Sequence, residues 1–343
     1  MTSTLPWTEK YRPKLLDEII SHDRIISTLK TFINNRSLPH LLFYGPAGSG
    51  KTSTIMAVAK QLYGKYYPFM VMELNASDDR GIEVVRNKIK QFVTSKSVFF
   101  GETVEERKDI FKLVILDETD AMTSEAQAIL RKVVEEYTYN TRFCLICNYI
   151  QNIMPALQSR CAKFRFSPLN SVDIEKRLRT IISAEKVVVK RSGLNALMRR
   201  SKGDMRKMIN SLQAVSMAYK IVNEENVNTC LGYPKKQEIN FIIDVLVSNP
   251  YTDCYNKILD LKNSVGLSLD DIIQEIHDQI VSYIIDEDTK ETRAIKDNPL
   301  KKLTLQQIAK VLDKMRVIEY NQSVNTSENI QLAALVGIFK KFD

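Results

Sequence analysis

The stretch His40-Leu-Leu-Phe-Tyr44-Gly45-Pro46-Ala47-Gly48-Ser49-Gly50-Lys51-Thr52-Ser53 decides the fold. It opens with a short apolar, strand-like run and passes through a glycine-rich turn. It then enters a helical pattern that continues to Tyr63. A Gly-x-x-x-x-Gly-Lys-Thr sequence between a strand and a helix is a phosphate-binding loop. Glycines let the backbone wrap an anion, whose charge meets exposed N–H groups and the positive end of the following helix. Lys51 is expected to reach the β- and γ-phosphates of ATP, and Thr52 to place its hydroxyl on Mg²⁺. ATP contacts are therefore expected along Gly45, Pro46, Ala47, Gly48, Ser49, Gly50, Lys51, Thr52 and Ser53.

Outward from this loop, β-rich apolar runs alternate with helical patterns up to Leu169. The runs are His40–Tyr44, Phe69–Leu74, Phe111–Leu116, Arg142–Cys147 and Lys163–Phe166. Alternation of this kind predicts an α/β domain with a mostly parallel sheet and helices on both faces. After Pro168 helical periodicity takes over, in Ser171–Ala184, Leu194–Arg200 and Asp204–Tyr219, until Gly232-Tyr-Pro234 punctuates the chain. Amphipathic stretches at Glu238–Val247, Asp253–Leu261, Leu269–Ile285, Thr304–Tyr320 and Ile330–Phe339 then predict an all-helical domain. The expected domains are 1–169, 170–233 and 234–343. Gly101–Asp109 and Asp286–Pro299 read as solvated loops.

The chain has 343 residues, 44% of them apolar and 26% charged, the composition of an ordinary globular protein. A net charge of +8 favours a polyanionic partner only weakly, because the excess is spread along the chain. An odd number of cysteines, 5, and no secretory leader suggest a reducing compartment. Cys144 and Cys147 form a Cys-x-x-Cys inside an apolar run, which reads as a buried strand and not as a metal or redox site. No apolar run approaches the roughly 18 residues of a membrane span. A soluble intracellular protein without membrane contact is expected.

A second signal, Leu113-Val-Ile-Leu-Asp117-Glu118-Thr-Asp120, puts carboxylates directly after a buried strand, at the sheet edge where open α/β folds bind ligands. Asp117 is expected to hold Mg²⁺, and Glu118 to orient and polarise the attacking water. Asn148 ends the strand beginning at Arg142, where an amide can hold that water or the γ-phosphate. Arg206 can reach the γ-phosphate only if the helices beyond the sheet fold back over the loop.

With these elements in order, the chain resembles the AAA+ ATPases, and within them the small subunits of replication factor C, the clamp loader. The marks are Trp7-Thr-Glu-Lys-Tyr-Arg-Pro13, Leu16-Asp-Glu-Ile-Ile20, the phosphate loop, Glu73-Leu-Asn-Ala-Ser-Asp-Asp-Arg-Gly81, the acidic strand end, Ser159-Arg160-Cys161 and Gly203-Asp-Met-Arg206. The resemblance implies an AAA+ domain with a helical lid and a C-terminal helical collar that joins the subunits into a hetero-pentamer. It implies that Thr8, Arg12 and Ile20 pack over adenine and ribose. Asn148 would be the first sensor, Arg206 the second, and Arg160 an arginine finger that completes the neighbouring subunit's site. The loop, acidic pair and Ser-Arg-Cys triplet together are similar to the small-subunit type that has both a working site and a finger.

The resemblance further implies that Arg80, Arg86 and Lys90 track primer–template DNA through its phosphates, with Arg86 and Lys90 at i and i+4 on one helix face. On spacing alone they read as a solvated face. Val98-Phe-Phe100 lies where the family meets the sliding clamp, although these aromatics equally suit the core. The implied location is the nucleus. Two rivals are a subunit whose own hydrolysis is dispensable and a self-assembling branch-migration motor.

Overall fold

A computed structural model describes residues 5–76, 82–95, 111–288, 299–324 and 326–340. The chain divides into two compact units, residues 1–189 with 197–216 and residues 190–196 with 217–343.

The first unit opens with a one-turn helix α1 (Trp7–Lys10) and helix α2 (Asp23–Asn34). Its sheet strands are β1 (Leu41–Tyr44), β2 (Val71–Asn75), β3 (Lys112–Asp117), β4 (Thr141–Cys147) and β5 (Ala162–Arg165). Between them lie α3 (Lys51–Tyr63), α4 (Tyr67–Met70), α5 (Ile82–Thr94), α6 (Ser124–Tyr137) and α7 (Pro155–Gln158). The strands form one 5-stranded sheet in the order β2-β3-β4-β1-β5, every pair parallel.

The apolar runs of β1, β3 and β4 are continuous because both faces are covered. Leu41, Phe43, Leu113, Ile115, Cys144 and Ile146 pack with α2 and α3 on one side. Their alternates Leu42, Val114, Leu116, Phe143, Leu145 and Cys147 pack with α5 and α6 on the other. Cys144 and Cys147 are thus buried strand residues with free thiols, and burial pushes the Cys147 thiol up to about 12. The second run was expected to begin at Phe69, but Phe69 sits in α4 and is 76% exposed. Pro68 stands in the first turn of that short helix, a position where its missing N–H costs nothing.

Four helices follow: α8 (Ser171–Glu185), α9 (Arg191–Ser201), α10 (Met205–Ala218) and α11 (Glu224–Leu231). Helix α8 and residues 205–216 of α10 belong to the first unit. In the second unit, α12 (Lys236–Ser248), α13 (Tyr251–Val265), α14 (Leu269–Asp288), α15 (Leu305–Ser323) and α16 (Glu328–Lys340) bury one stripe each. Ile239, Ile243, Ile258, Ile276, Val311 and Leu335 meet in a shared core. Gly266 ends α13 in the left-handed region at φ 76°, the usual exit of a helix into a turn.

His40 shows how tightly β1 is fixed. Its Nδ1 accepts the Phe143 N–H at 3.1 Å, and its Nε2 lies 3.2 Å from the Thr138 hydroxyl. Burial, with the nearby Arg142 charge, lowers its pKa from 6.5 to about 4. The folded state therefore holds His40 neutral, and its contribution is fully present above pH 6.5. It is lost as the pH falls towards 4, where the unfolded chain binds the proton first. That shift corresponds to roughly 3 kcal/mol. Urea unfolding across this range should show a shallower fall in stability for His40→Asn than for the parent chain.

Candidate nucleotide site

The phosphate loop leaves the carboxyl end of β1, beside the ends of β3 and β4, where open parallel sheets bind ligands. Its path depends on two glycines. A Cβ on Gly45 would lie 2.0 Å from the Phe166 carbonyl oxygen, and one on Gly48 would lie 1.9 Å from Asp204 Oδ1. Both have positive φ, 145° and 68°. From below, the buried His22 holds the loop, with its Nε2 3.1 Å from the Ser49 carbonyl oxygen and its ring edge-on to Phe166. Burial lowers the pKa of His22, opposed by this bond to the Ser49 carbonyl.

Lys51 begins α3 and is buried. Its ammonium donates to the Gly45 carbonyl at 2.7 Å, the Pro46 carbonyl at 2.9 Å and Asn148 Oδ1 at 3.0 Å. Those contacts use all three donors of the ammonium. Burial lowers its pKa, opposed by the charges of Asp117 and Asp120, while Arg206 adds to the lowering. The P-loop lysine and the amide at the end of β4 are thus joined directly.

Across from Lys51, the Thr52 hydroxyl donates to Asp117 Oδ2 at 2.7 Å. The other carboxylate oxygen accepts the Glu118 N–H at 2.9 Å. Glu118 itself takes the left-handed backbone, φ 54° and ψ 37°, which is uncommon for a residue with a Cβ and turns its side chain out of the strand. Beyond it, Thr119 is buried and donates to the Ile146 carbonyl at 2.9 Å. Asp120 Oδ2 accepts two backbone N–H groups, from Asn148 at 2.9 Å and Tyr149 at 3.0 Å, and so fixes the strand end that carries Asn148.

Lys51, Thr52, Asp117, Glu118 and Asn148 line one cavity with Thr8, Arg12 and Ile20 of the opening segment and with Arg206 of α10. The helices beyond the sheet do fold back: Asp204 abuts Gly48, and Arg206 shares the cavity with Lys51, Thr52, Asp117 and Glu118. Ser53, Ala47 and Gly50 line it too, whereas Gly45 and Pro46 meet Lys51 through their carbonyls. Arg160 lies outside the cavity, exposed, ion-paired with Glu135 of α6 and donating to the Ala156 carbonyl at 2.6 Å. Lys90 is half-buried on α5. Arg80, Val98-Phe-Phe100 and Glu102–Asp109 lie outside the described residues, as does the side chain of Arg86.

Sequence reasoning missed Tyr11, Arg177 of α8 and Met205 and Ile209 of α10, which also line the cavity. It gave no role to His22 or Asp120. Asp120 was within reach, as a third carboxylate after β3, but its partners are backbone groups on another strand.

The residues from 41 to 169 match the family of ATPases associated with various cellular activities. This defines the class as an AAA ATPase. The residues from 234 to 337 match the replication factor C C-terminal domain. Human replication factor C subunit 5 is 47% identical, covering 98% of this chain and 92% of the human protein. The probable replication factor C subunit 5 of Dictyostelium discoideum is also 47% identical, over 98% and 91%. Replication factor C subunit 3 of Schizosaccharomyces pombe is 42% identical, over 98% and 91%. The chain belongs to the replication factor C subunit family, whose members are clamp-loader ATPases of DNA replication. Subunit 5 in human and 3 in yeast numbering is the type that the intact loop, acidic pair and Ser-Arg-Cys triplet resemble. The fold is shared more widely. The RuvB branch migration motor of Thermotoga maritima aligns with a TM-score of 0.51 over 76% of this chain and 88% of that one, at 16% identity.

Asp120→Ala leaves two backbone N–H groups at the end of β4 without their acceptor. It should cost about 1–3 kcal/mol in urea unfolding, while Asp120→Asn, which keeps an acceptor oxygen, should recover at least half.

Proposed function

We propose that this cavity binds ATP with Mg²⁺ and hydrolyses it, as one half-site of a hetero-pentameric, nuclear clamp loader that opens a sliding clamp and places it on primer–template DNA. The observation that carries the reading is the 2.7 Å contact of Thr52 and Asp117 beside a Lys51 already bonded to Asn148. A hydroxyl and a carboxylate oxygen side by side form a hard-oxygen pair suited to Mg²⁺, which takes few protein ligands and completes its shell with water and phosphate. When bound, Mg²⁺ screens the charge of the phosphates.

The protein's own residues divide the remaining work. Residues Gly45 to Ser53 hold the phosphates, and Thr8, Arg12 and Ile20 cover the base and ribose. Lys51 exchanges loop carbonyls for phosphate oxygens. Glu118 accepts a proton from water as the water oxygen bonds to the γ-phosphorus and the bond to the β,γ-bridging oxygen breaks. Asn148 positions that water, and Arg206 balances charge on the γ-phosphate. Arg160, which does not line its own cavity, supplies a cation to the neighbouring subunit's site, so that hydrolysis reports correct apposition. In this reading residues 1–169 bind nucleotide, 170–233 act as the lid and 234–343 as the collar. The collar assignment is supported by α15, which leaves Val317, Tyr320 and, at its end, Val324 exposed at one-face spacing, as an interface with other subunits requires. Arg80, Arg86 and Lys90 contact DNA phosphates.

In the assembled complex, Glu118→Gln should keep nucleotide binding and lower turnover at this site by about 10²–10⁴-fold. Unchanged turnover in a phosphate-release assay would remove Glu118 from the chemistry and favour a subunit whose own hydrolysis is dispensable. Arg160→Ala should leave ATP binding by this chain intact and slow hydrolysis at its neighbour. Loss of binding here would overturn the assignment in trans. Replacing Arg86 and Lys90 by Ala should flatten the salt dependence of DNA-stimulated hydrolysis.

A further inference from the structure

The opening segment lines the cavity with Thr8, Tyr11 and Arg12, yet it has little to hold it there. Helix α1 is 4 residues long, has no side-chain cap and buries none of its residues. An isolated helix of one turn has no stability of its own in water, because its nucleation cost is never recovered. Its position must come from elsewhere, and the contacts that supply it run to α8 and α10 of the same unit.

The Trp7 N–H donates to Gln213 Oε1 of α10 at 3.0 Å. Arg177 of α8 donates to the Tyr11 carbonyl at 2.9 Å. The remaining contacts converge on a single carboxylate oxygen. Glu185 Oε1, at the last residue of α8, accepts the Tyr11 hydroxyl at 2.5 Å and the Lys10 ammonium at 2.6 Å. Both bonds hold the Glu185 carboxyl below the usual range, and its side chain is 17% exposed. Glu185 does not line the cavity. It holds Lys10 and Tyr11 without itself lining the cavity.

We infer that Glu185 is a positioning residue for ATP: it fastens the arm through Lys10 and Tyr11 in the position where Thr8, Tyr11 and Arg12 close the nucleotide cavity. This rests on the reading of the cavity as the ATP site. Two physical consequences separate it from a surface ion pair. A surface pair of this exposure adds little to global stability. Fastening the arm, by contrast, removes the entropy of ordering it from the binding step, so loss of the carboxylate appears as weaker binding and not as a less stable fold. Because Tyr11 and Lys10 share one acceptor, their contributions are coupled and not additive.

The test is binding of the fluorescent, non-hydrolysed analogue mant-AMP-PNP with Mg²⁺ to the full-length chain, beside thermal melting without nucleotide. Glu185→Ala should raise Kd by about three- to tenfold, mainly through faster dissociation, with melting unchanged within about 2 °C. Tyr11→Phe should give a smaller rise, and the double variant should bind no more weakly than Glu185→Ala alone. Glu185→Gln, which can still accept the Tyr11 hydroxyl, should fall between the parent and Glu185→Ala. A Kd for Glu185→Ala within twofold of the parent overturns the inference. So does full additivity with Tyr11→Phe, or a rise in Kd matched by a lowered melting temperature in Glu185→Ala and Glu185→Gln alike. Lys51→Ala separates this from the reading beneath it. That variant should lose binding whatever the state of the arm, and retention of parent-like affinity would refute the cavity as the ATP site while leaving the arm's contacts unexplained.

Discussion

The ammonium of Lys51 is the constraint around which the nucleotide cavity is organised. A buried cation without acceptors would cost several kcal/mol, so the chain supplies three of them: two carbonyls of its own loop and the side-chain oxygen of Asn148. This joins the loop after β1 to the end of β4. A phosphate oxygen that takes up Lys51 must displace at least one of these acceptors.

Support for that arrangement is mostly backbone chemistry. Asp120 receives the N–H groups of Asn148 and Tyr149, Thr119 returns a bond to the Ile146 carbonyl, and His22 holds the Ser49 carbonyl. The acidic segment after β3 thus does two separate jobs. Asp117 and Glu118 face the cavity, while Thr119 and Asp120 tie β3 to β4. Threonine at position 119 fits the second job, because its hydroxyl is buried and satisfied by the Ile146 carbonyl of β4.

Much of this was legible in the sequence because the informative residues sit close together in the chain. The loop residues Gly45 to Thr52 and the acidic strand end each declare their chemistry locally, and the runs of β1, β3 and β4 are long enough to mark buried parallel strands. The helices from Lys236 onward follow from period alone. What escaped depends on contacts between distant segments. Arg177 is one of several charges on α8, and only the fold brings it to the cavity and to the Tyr11 carbonyl. Glu185 reads as an ordinary helix-end carboxylate until Lys10 and Tyr11 appear beside it. His22 gives no sign that it lies beneath Ser49. Helix α11 is different: Gly232, which ends it in the left-handed region, was legible as a stop, but periodicity over so short a segment was too weak to show the helix that Asn223 caps.

Gly48 and Asp204 stand far apart in the chain and share one volume of space. The hydrogen at the α-carbon of Gly48 leaves room for the Asp204 carboxylate, which in turn accepts the Lys207 N–H at 3.0 Å and caps the start of α10. A larger residue at 48 would displace this cap, and a bulkier one at 204 would press the phosphate loop. The two positions should vary together or not at all among related chains, so that the glycine of a nucleotide motif also records how closely a helix elsewhere in the sequence is allowed to approach.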